Sequence, residues 1–298
     1  MAEISKLSKV AIADVAKVDA VLKADIANIN GLTIPSGFTG LLDTYTGASA
    51  AYSVRRLSGS YTGACMRVRE DGGNTETDIG FDSNGDLDTA AIASHCGVNN
   101  GYVRYWYDQS TAGGTGSGND AGQATAASQH KIYDGTAVIT KNGKPMIDAT
   151  ENVTSFDYFA LSQSAPYTLM GVSYNQLDYN RSLGQGNGSA AQFIAARNKT
   201  ALQSQIGSTI TASFNHGDNV IISTFLLNGS SSFTRGISAA GYNEITGTLV
   251  DADLTTIQPA GQGSRASSIQ EFILWDGALS STDYGAIETD MDTYFSVT

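Results

Sequence analysis

The sequence predicts an all-β protein of two antiparallel sheets packed face to face, and three observations carry that prediction. Only 15% of its 298 residues are charged, whereas exposed helix faces are usually filled with Glu, Lys and Arg. Thirty-three glycines, with abundant Ser and Thr, supply the turn residues that a many-stranded chain needs. Short apolar or alternating runs recur between clusters of Gly, Asn, Asp and Ser, with little helical periodicity. At 41% apolar residues the chain can bury a core and is unlike a disordered one.

The N-terminal segment repeats itself. Residues 2–10, 13–21 and 24–32 each read Ala-acid-apolar-x-x-apolar-x-x-apolar, at a period of 11. Two structures suit that period: a helix winding into a right-handed coiled coil, or short strands stacking as a solenoid or a multi-chain prism. The β-branched stripe and the Asn30-Gly31 pair favour strands; the Ala and Lys content favours a helix. A segment this short cannot shelter Ile4, Leu7, Val10, Val15, Val18, Val21, Ile26, Ile29 and Leu32 by itself. They are expected to pack on another chain, a sister subunit or a larger assembly; folding back onto the same domain is the alternative. Pro35-Ser36-Gly37 breaks the pattern, so residues 1–36 are expected to form an attachment segment and residues 37–298 a sandwich domain.

Strands are expected within Ala51–Leu57, Ala64–Arg69, Tyr102–Tyr107, Tyr167–Tyr174, Gln192–Arg197, Val220–Leu227 and Ile269–Trp275. Two helices interrupt them. One starts near Leu87 behind an acidic cap and ends before Gly97. The other starts at Ser280, with Asp283 completing a capping box and Tyr284, Ile287, Met291 and Tyr294 at helical spacing. Trp106 and Trp275 sit inside apolar runs and read as core.

A formal charge of −12 without clustered Lys or Arg argues against nucleic acid, and no apolar run is long enough for a membrane helix. Nothing at the N-terminus resembles a signal peptide, so synthesis in the cytosol is expected. Cys65 and Cys96 lack metal-ligand spacing and are expected as buried free thiols, a disulfide being the alternative. Asp82-Ser83-Asn84-Gly85-Asp86 has oxygen spacing reminiscent of a calcium loop, but its glycine is misplaced and a turn explains it. The three histidines are scattered, and Gly113–Gly118 lacks the Lys-Ser/Thr ending of a phosphate loop. No metal and no cofactor is expected.

Aromatic residues give the better lead. Sugar rings stack on aromatic faces while Asp and Asn take their hydroxyls, and Tyr174, Asn175, Asp178 and Tyr179 form the densest such cluster. An ordinary polar hairpin explains the same residues.

A family resemblance rests on Ala51–Leu57, Tyr61–Ala64, Met66–Arg69, Asp78–Asp82, Leu87–Ala91, Trp106–Ser110, Gly118–Ala121 and Gln123–Ala126. This stretch resembles the catalytic domain of arabinofuranosidase B, a concanavalin-A-like jelly-roll sandwich, and phage virion proteins that carry the same domain behind a repetitive N-terminal segment. Glu271–Ser280 is similar to the closing strand and helix of laminin-G-like sandwiches. The resemblance implies a concanavalin-A-like jelly-roll β-sandwich with a C-terminal helix. The virion branch implies a surface structural protein made in a host cytoplasm, such as a head fibre, decoration or tail spike, homotrimeric as fibres commonly are, held to capsid or tail proteins by residues 1–36 and touching host glycans. The enzyme branch implies a glycoside hydrolase with a glutamate nucleophile and an aspartate acid. None of the seven glutamates matches the nucleophile's context, and Asp283, placed near the acid, is already explained as a cap. The expectation is therefore a virion protein without catalytic residues; an arabinofuranosidase-type hydrolase or a free carbohydrate-binding module is the alternative.

Overall fold

The computed structural model describes residues 17–18, 21–22, 28–29, 32–33, 38–110, 119–149, 156–157, 159–174, 184–186, 191–193, 200–206, 208–249, 251, 253–259 and 267–298. Within the repeat, Lys17–Val18 pairs with Val21–Leu22, and Asn28–Ile29 pairs with Leu32–Thr33, both antiparallel. Of the two structures open to the 11-residue period, these residues take the strand. Val18, Val21, Ile29 and Leu32 lie on the hairpins; Ile4, Leu7, Val10, Val15 and Ile26 lie outside the described residues.

The chain continues through α1 (Leu41–Thr44), β1 (Ala48–Ser53), β2 (Met66–Glu70), β3 (Glu76–Ile79), α2 (Thr89–Cys96), β4 (Asn100–Trp106), β5 (Ala121–Gly122) and β6 (His130–Asp134). Then come β7 (Phe159–Gln163), β8 (Tyr167–Tyr174), β9 (Gly184–Gly186), β10 (Ala191–Phe193), β11 (Ala201–Ile206), β12 (Ser208–Ser213) and β13 (Val220–Leu227). The chain closes with β14 (Ser232–Ser238), β15 (Gly241–Gly247), β16 (Leu254–Pro259), β17 (Ser268–Asp276) and α3 (Ser281–Phe295).

Among the described residues three larger antiparallel sheets result, beside a short hairpin pairing Thr140–Lys141 with Lys144–Pro145. The central one runs β15-β14-β13-β8-β17-β1, a second runs β7-β16-β9-β10-β11-β12, and a third runs β6-β4-β2-β3 with β5 on β4. All eight residues of β8 and of β13 are buried, so these inner strands read as nearly continuous apolar runs. One face of the central sheet meets the other two sheets. Ser204 Oγ of β11 donates to Thr234 Oγ1 of β14 at 3.0 Å, and the Tyr52 ring lies 5.6 Å from that of Trp106. The opposite face carries α3. This is the β-sandwich with a C-terminal helix that the sequence predicts.

Both helices end where the sequence places their signals. The Asp88 carboxylate accepts the N–H of Ala91 at 2.9 Å, and Gly97 leaves α2 at φ 58°. Ser280 Oγ accepts from the N–H of Asp283 at 3.2 Å and donates to its carboxylate at 2.7 Å. Asp283 thus meets the cap through the Ser280 hydroxyl rather than through the backbone N–H that a capping box uses. Ile287, Met291 and Phe295 bury the inner stripe of α3. Cys65 and Cys96 are free and buried, and burial raises both thiol pKa values, that of Cys96 to about 11. Trp106 and Trp275 are core residues.

Two arginines fasten α3 to the sheet. On the β14 side, Arg235 donates from Nη1 to Glu288 of α3 at 2.9 Å and from Nη2 to Glu244 of β15 at 2.6 Å. Thr224 of β13 donates to the other Glu288 oxygen at 2.6 Å. On the β1 side, Arg55 joins Glu271 of β17 to Asp290 of α3. A third buried glutamate, Glu70, has no arginine. Its carboxylate accepts the N–H groups of Thr75, Gly73 and Gly72 at 2.6–2.9 Å, which lowers its pKa to about 2.

Candidate functional site

Beside the edge strand β1, the C-terminal turns of α3 and the short helix α1 enclose a cleft of about 320 Å³. Phe38, Tyr45 and Tyr294 give it aromatic walls; Arg55, Asn84 and Asp290 give it polar ones. The Asp82 turn builds one side. Asp82 Oδ1 accepts the N–H groups of Asn84 and Asp86, at 2.8 and 3.0 Å, so the run is a turn. At its tip Gly85 has φ 85°, and a Cβ there would sit 2.2 Å from the Phe38 ring. Glycine is required on both counts.

Behind the cleft lies the Arg55 cluster. Ser53 and Glu271 are cross-strand partners on β1 and β17, and the serine hydroxyl donates to Glu271 Oε2 at 2.7 Å. Arg55 forks onto the same carboxylate, Nε to Oε2 at 2.8 Å and Nη2 to Oε1 at 3.0 Å. Nη2 also reaches Asp290 Oδ1 at 2.6 Å. Burial opposes the Arg55 charge, yet Glu271 and Asp290 outweigh it and raise the guanidinium pKa. The ring of Tyr294 stacks 4.7 Å from the guanidinium carbon, and its hydroxyl donates to Asp86. Burial, then that bond, raises the Tyr294 phenol pKa.

The two carboxylates share Nη2, so their nearest oxygens are separated by no more than those two contacts laid end to end. The two groups are not equivalent. Glu271 is fully buried with both oxygens occupied, while the Asp290 side chain is 43% exposed. The cleft therefore offers one carboxylate, an amide, three aromatic rings and two arginines to a ligand; Glu271 and Asp290 neutralise Arg55, and Arg56 donates to the carbonyls of Ser58 and Gly59. Such a lining suits a neutral polyhydroxyl compound.

Sequence reasoning singled out other residues. Tyr174 ends β8 and is buried, with Lys141 Nζ 3.9 Å from its ring centre. Asn175, Asp178 and Tyr179 lie outside the described residues. Arg55, Asn84 and Asp290 were missed. The usable signal was the i, i+4 spacing of Asp290 and Tyr294 together with the Arg55-Arg56 pair directly after an apolar strand.

No protein-family profile matches the chain, and no curated protein matches it. Solved structures do. An arabinofuranosidase complexed with arabinofuranosyl-α-1,2-xylobiose superposes with a TM-score of 0.59 at 16% identity, over 85% of this chain and 64% of that one. A family-54 α-L-arabinofuranosidase mutant soaked with 4-nitrophenyl α-L-arabinofuranoside gives 0.60 at 17% identity, over 85% and 65%. The same type of enzyme soaked with a cyclic sulfate inhibitor gives 0.57 at 16%. The fold is that of the arabinofuranosidase sandwich. This chain spans less than two thirds of the length of those enzymes. The expectation of a virion fibre, decoration or capsid protein without enzymatic function is corrected by these neighbours, which are glycoside hydrolases. The virion expectation rested on analogy between sandwiches, and a shared fold does not fix function.

Proposed function

We propose that the chain is a carbohydrate-active sandwich of the arabinofuranosidase type, which takes an arabinofuranosyl group and hydrolyses its glycosidic bond. The observation that carries this reading is the superposition of 85% of the chain on arabinofuranosidases, two of them holding arabinofuranosides. The cleft beside Asp290 fits it, being polar, aromatic and electrically balanced. Incubating the whole protein with 4-nitrophenyl α-L-arabinofuranoside is expected to release nitrophenol continuously, and Asp290→Asn is expected to raise KM by about tenfold through loss of one hydroxyl acceptor.

A second reading, glycan binding without hydrolysis, is favoured by one specific observation. Among the described residues, the buried glutamates Glu70, Glu271 and Glu288 each commit both oxygens to partners within the protein. None is left to act on a substrate. Calorimetric binding of an arabinofuranosyl oligosaccharide with no nitrophenol release selects this second reading; neither binding nor release overturns both.

A further inference from the structure

At the opposite end of α3 from the cleft, the edge strand β15 presents an ordered aromatic ring to solvent. Cross-strand pairing sets Phe233 opposite Thr246, Arg235 opposite Glu244 and Ile237 opposite Tyr242. Strand alternation places these six side chains on the face that α3 shares. Arg235 is ringed by aromatics, its guanidinium carbon 4.7 Å from the Tyr284 centroid, 5.2 Å from Tyr242 and 5.5 Å from Phe233. Tyr242 remains 56% exposed; among the described residues Val98 is the other large apolar side chain left so open. Yet Tyr242 does not swing freely. Its hydroxyl donates to Glu244 Oε2 at 3.1 Å, and Arg235 holds its flank. An aromatic ring fixed at two points loses little rotational freedom when a ligand stacks on it.

Charge selects the ligand. Arg235 faces two carboxylates, Glu244 and Glu288, so the cluster carries one net negative charge and repels phosphates, uronates and other anions. Glu244 makes its three bonds through Oε2, and its side chain is 29% exposed, which leaves Oε1 to accept hydroxyls. A flat apolar C–H face with hydroxyls on its rim matches this surface.

We propose that Tyr242, Glu244 and the Arg235 behind them form a second carbohydrate-binding surface, which takes a neutral pyranose unit of a polysaccharide. It is separate from the cleft, since Tyr284 and Tyr294 stand ten residues apart on α3, about 15 Å along its axis. The test is calorimetric titration of the whole protein with xylohexaose, cellohexaose and mannohexaose. At least one is expected to bind, with Tyr242→Ala raising Kd by about tenfold or more and Tyr242→Phe, which keeps the ring, by less than about threefold. Tyr242→Ala is expected to leave nitrophenol release from 4-nitrophenyl α-L-arabinofuranoside unchanged, so a failure of the cleft assignment is distinguishable from a failure here. Binding of none of the three sugars overturns the proposal. So does Tyr242→Ala binding like the parent while its melting temperature falls, because the ring then only covers Arg235.

Discussion

The two arginines that hold α3 solve one problem with different surroundings. Arg55 joins a fully buried glutamate on a strand to a half-exposed aspartate on the helix, beside an open cleft. Arg235 joins a buried glutamate on the helix to a half-exposed one on a strand, beneath three aromatic rings. In each, the buried carboxylate also takes a hydroxyl, from Ser53 or Thr224. The difference is where water can enter. At Arg55 it reaches the helix partner, so the buried sheet partner depends on the arginine and the Ser53 hydroxyl. At Arg235 it reaches the strand partner, Glu244, which can rehydrate while Glu288 stays buried on the helix.

The largest expected effect breaks the deeper pair. Arg55→Ala leaves Glu271 charged and buried with only Ser53, and urea denaturation is expected to show a loss of about 3–5 kcal/mol. Arg235→Ala should cost less, about 2–3 kcal/mol, because exposed Glu244 regains water and Thr224 still donates to Glu288. Equal losses would remove the distinction drawn here.

Glu70 sharpens the comparison from outside, as a buried glutamate held by backbone N–H groups. Its pKa falls from the usual 4.5 to about 2, so its stabilisation is present above pH 4.5 and is lost as pH drops toward 2. Glu70→Gln is expected to flatten the acid limb of the stability profile between those values. The smallest effect belongs to the cleft. With its side chain 43% exposed, Asp290 contributes under about 1 kcal/mol, and Asp290→Asn is expected to unfold at nearly the parent urea midpoint.

Much of the fold was legible in the residues. Each of the seven strand runs read from the sequence overlaps a strand, because β8, β13 and β17 are covered on both faces and show as unbroken apolar stretches. Several of the strands outside those runs are polar. Ala201–Ile206 and Ser208–Ser213 are rich in Gln, Ser and Thr, and Ser232–Gly247 mixes charge with glycine. Helix caps were readable since their chemistry is local, as at Asp88 and Ser280. The cleft was not. Arg55 and Asp290 are 235 positions apart in the chain and become neighbours only after α3 lies across the sheet. The Tyr174 cluster was chosen for density of residue types, which cannot reveal that Tyr174 ends a buried strand.

The edge position of β1 has a consequence for how the chain is made. Its neighbour in the central sheet is β17, and Ser53 and Glu271 are 218 positions apart. At ~5–20 residues per second, a ribosome needs roughly 10–40 s to supply that neighbour. Throughout that interval the nascent strand has a vacant hydrogen-bonding edge. Its sequence, Ala-Ser-Ala-Ala-Tyr-Ser, lacks the Val, Ile and Phe that make waiting strands stick to one another, and this mildness lets it stay soluble until its partner emerges.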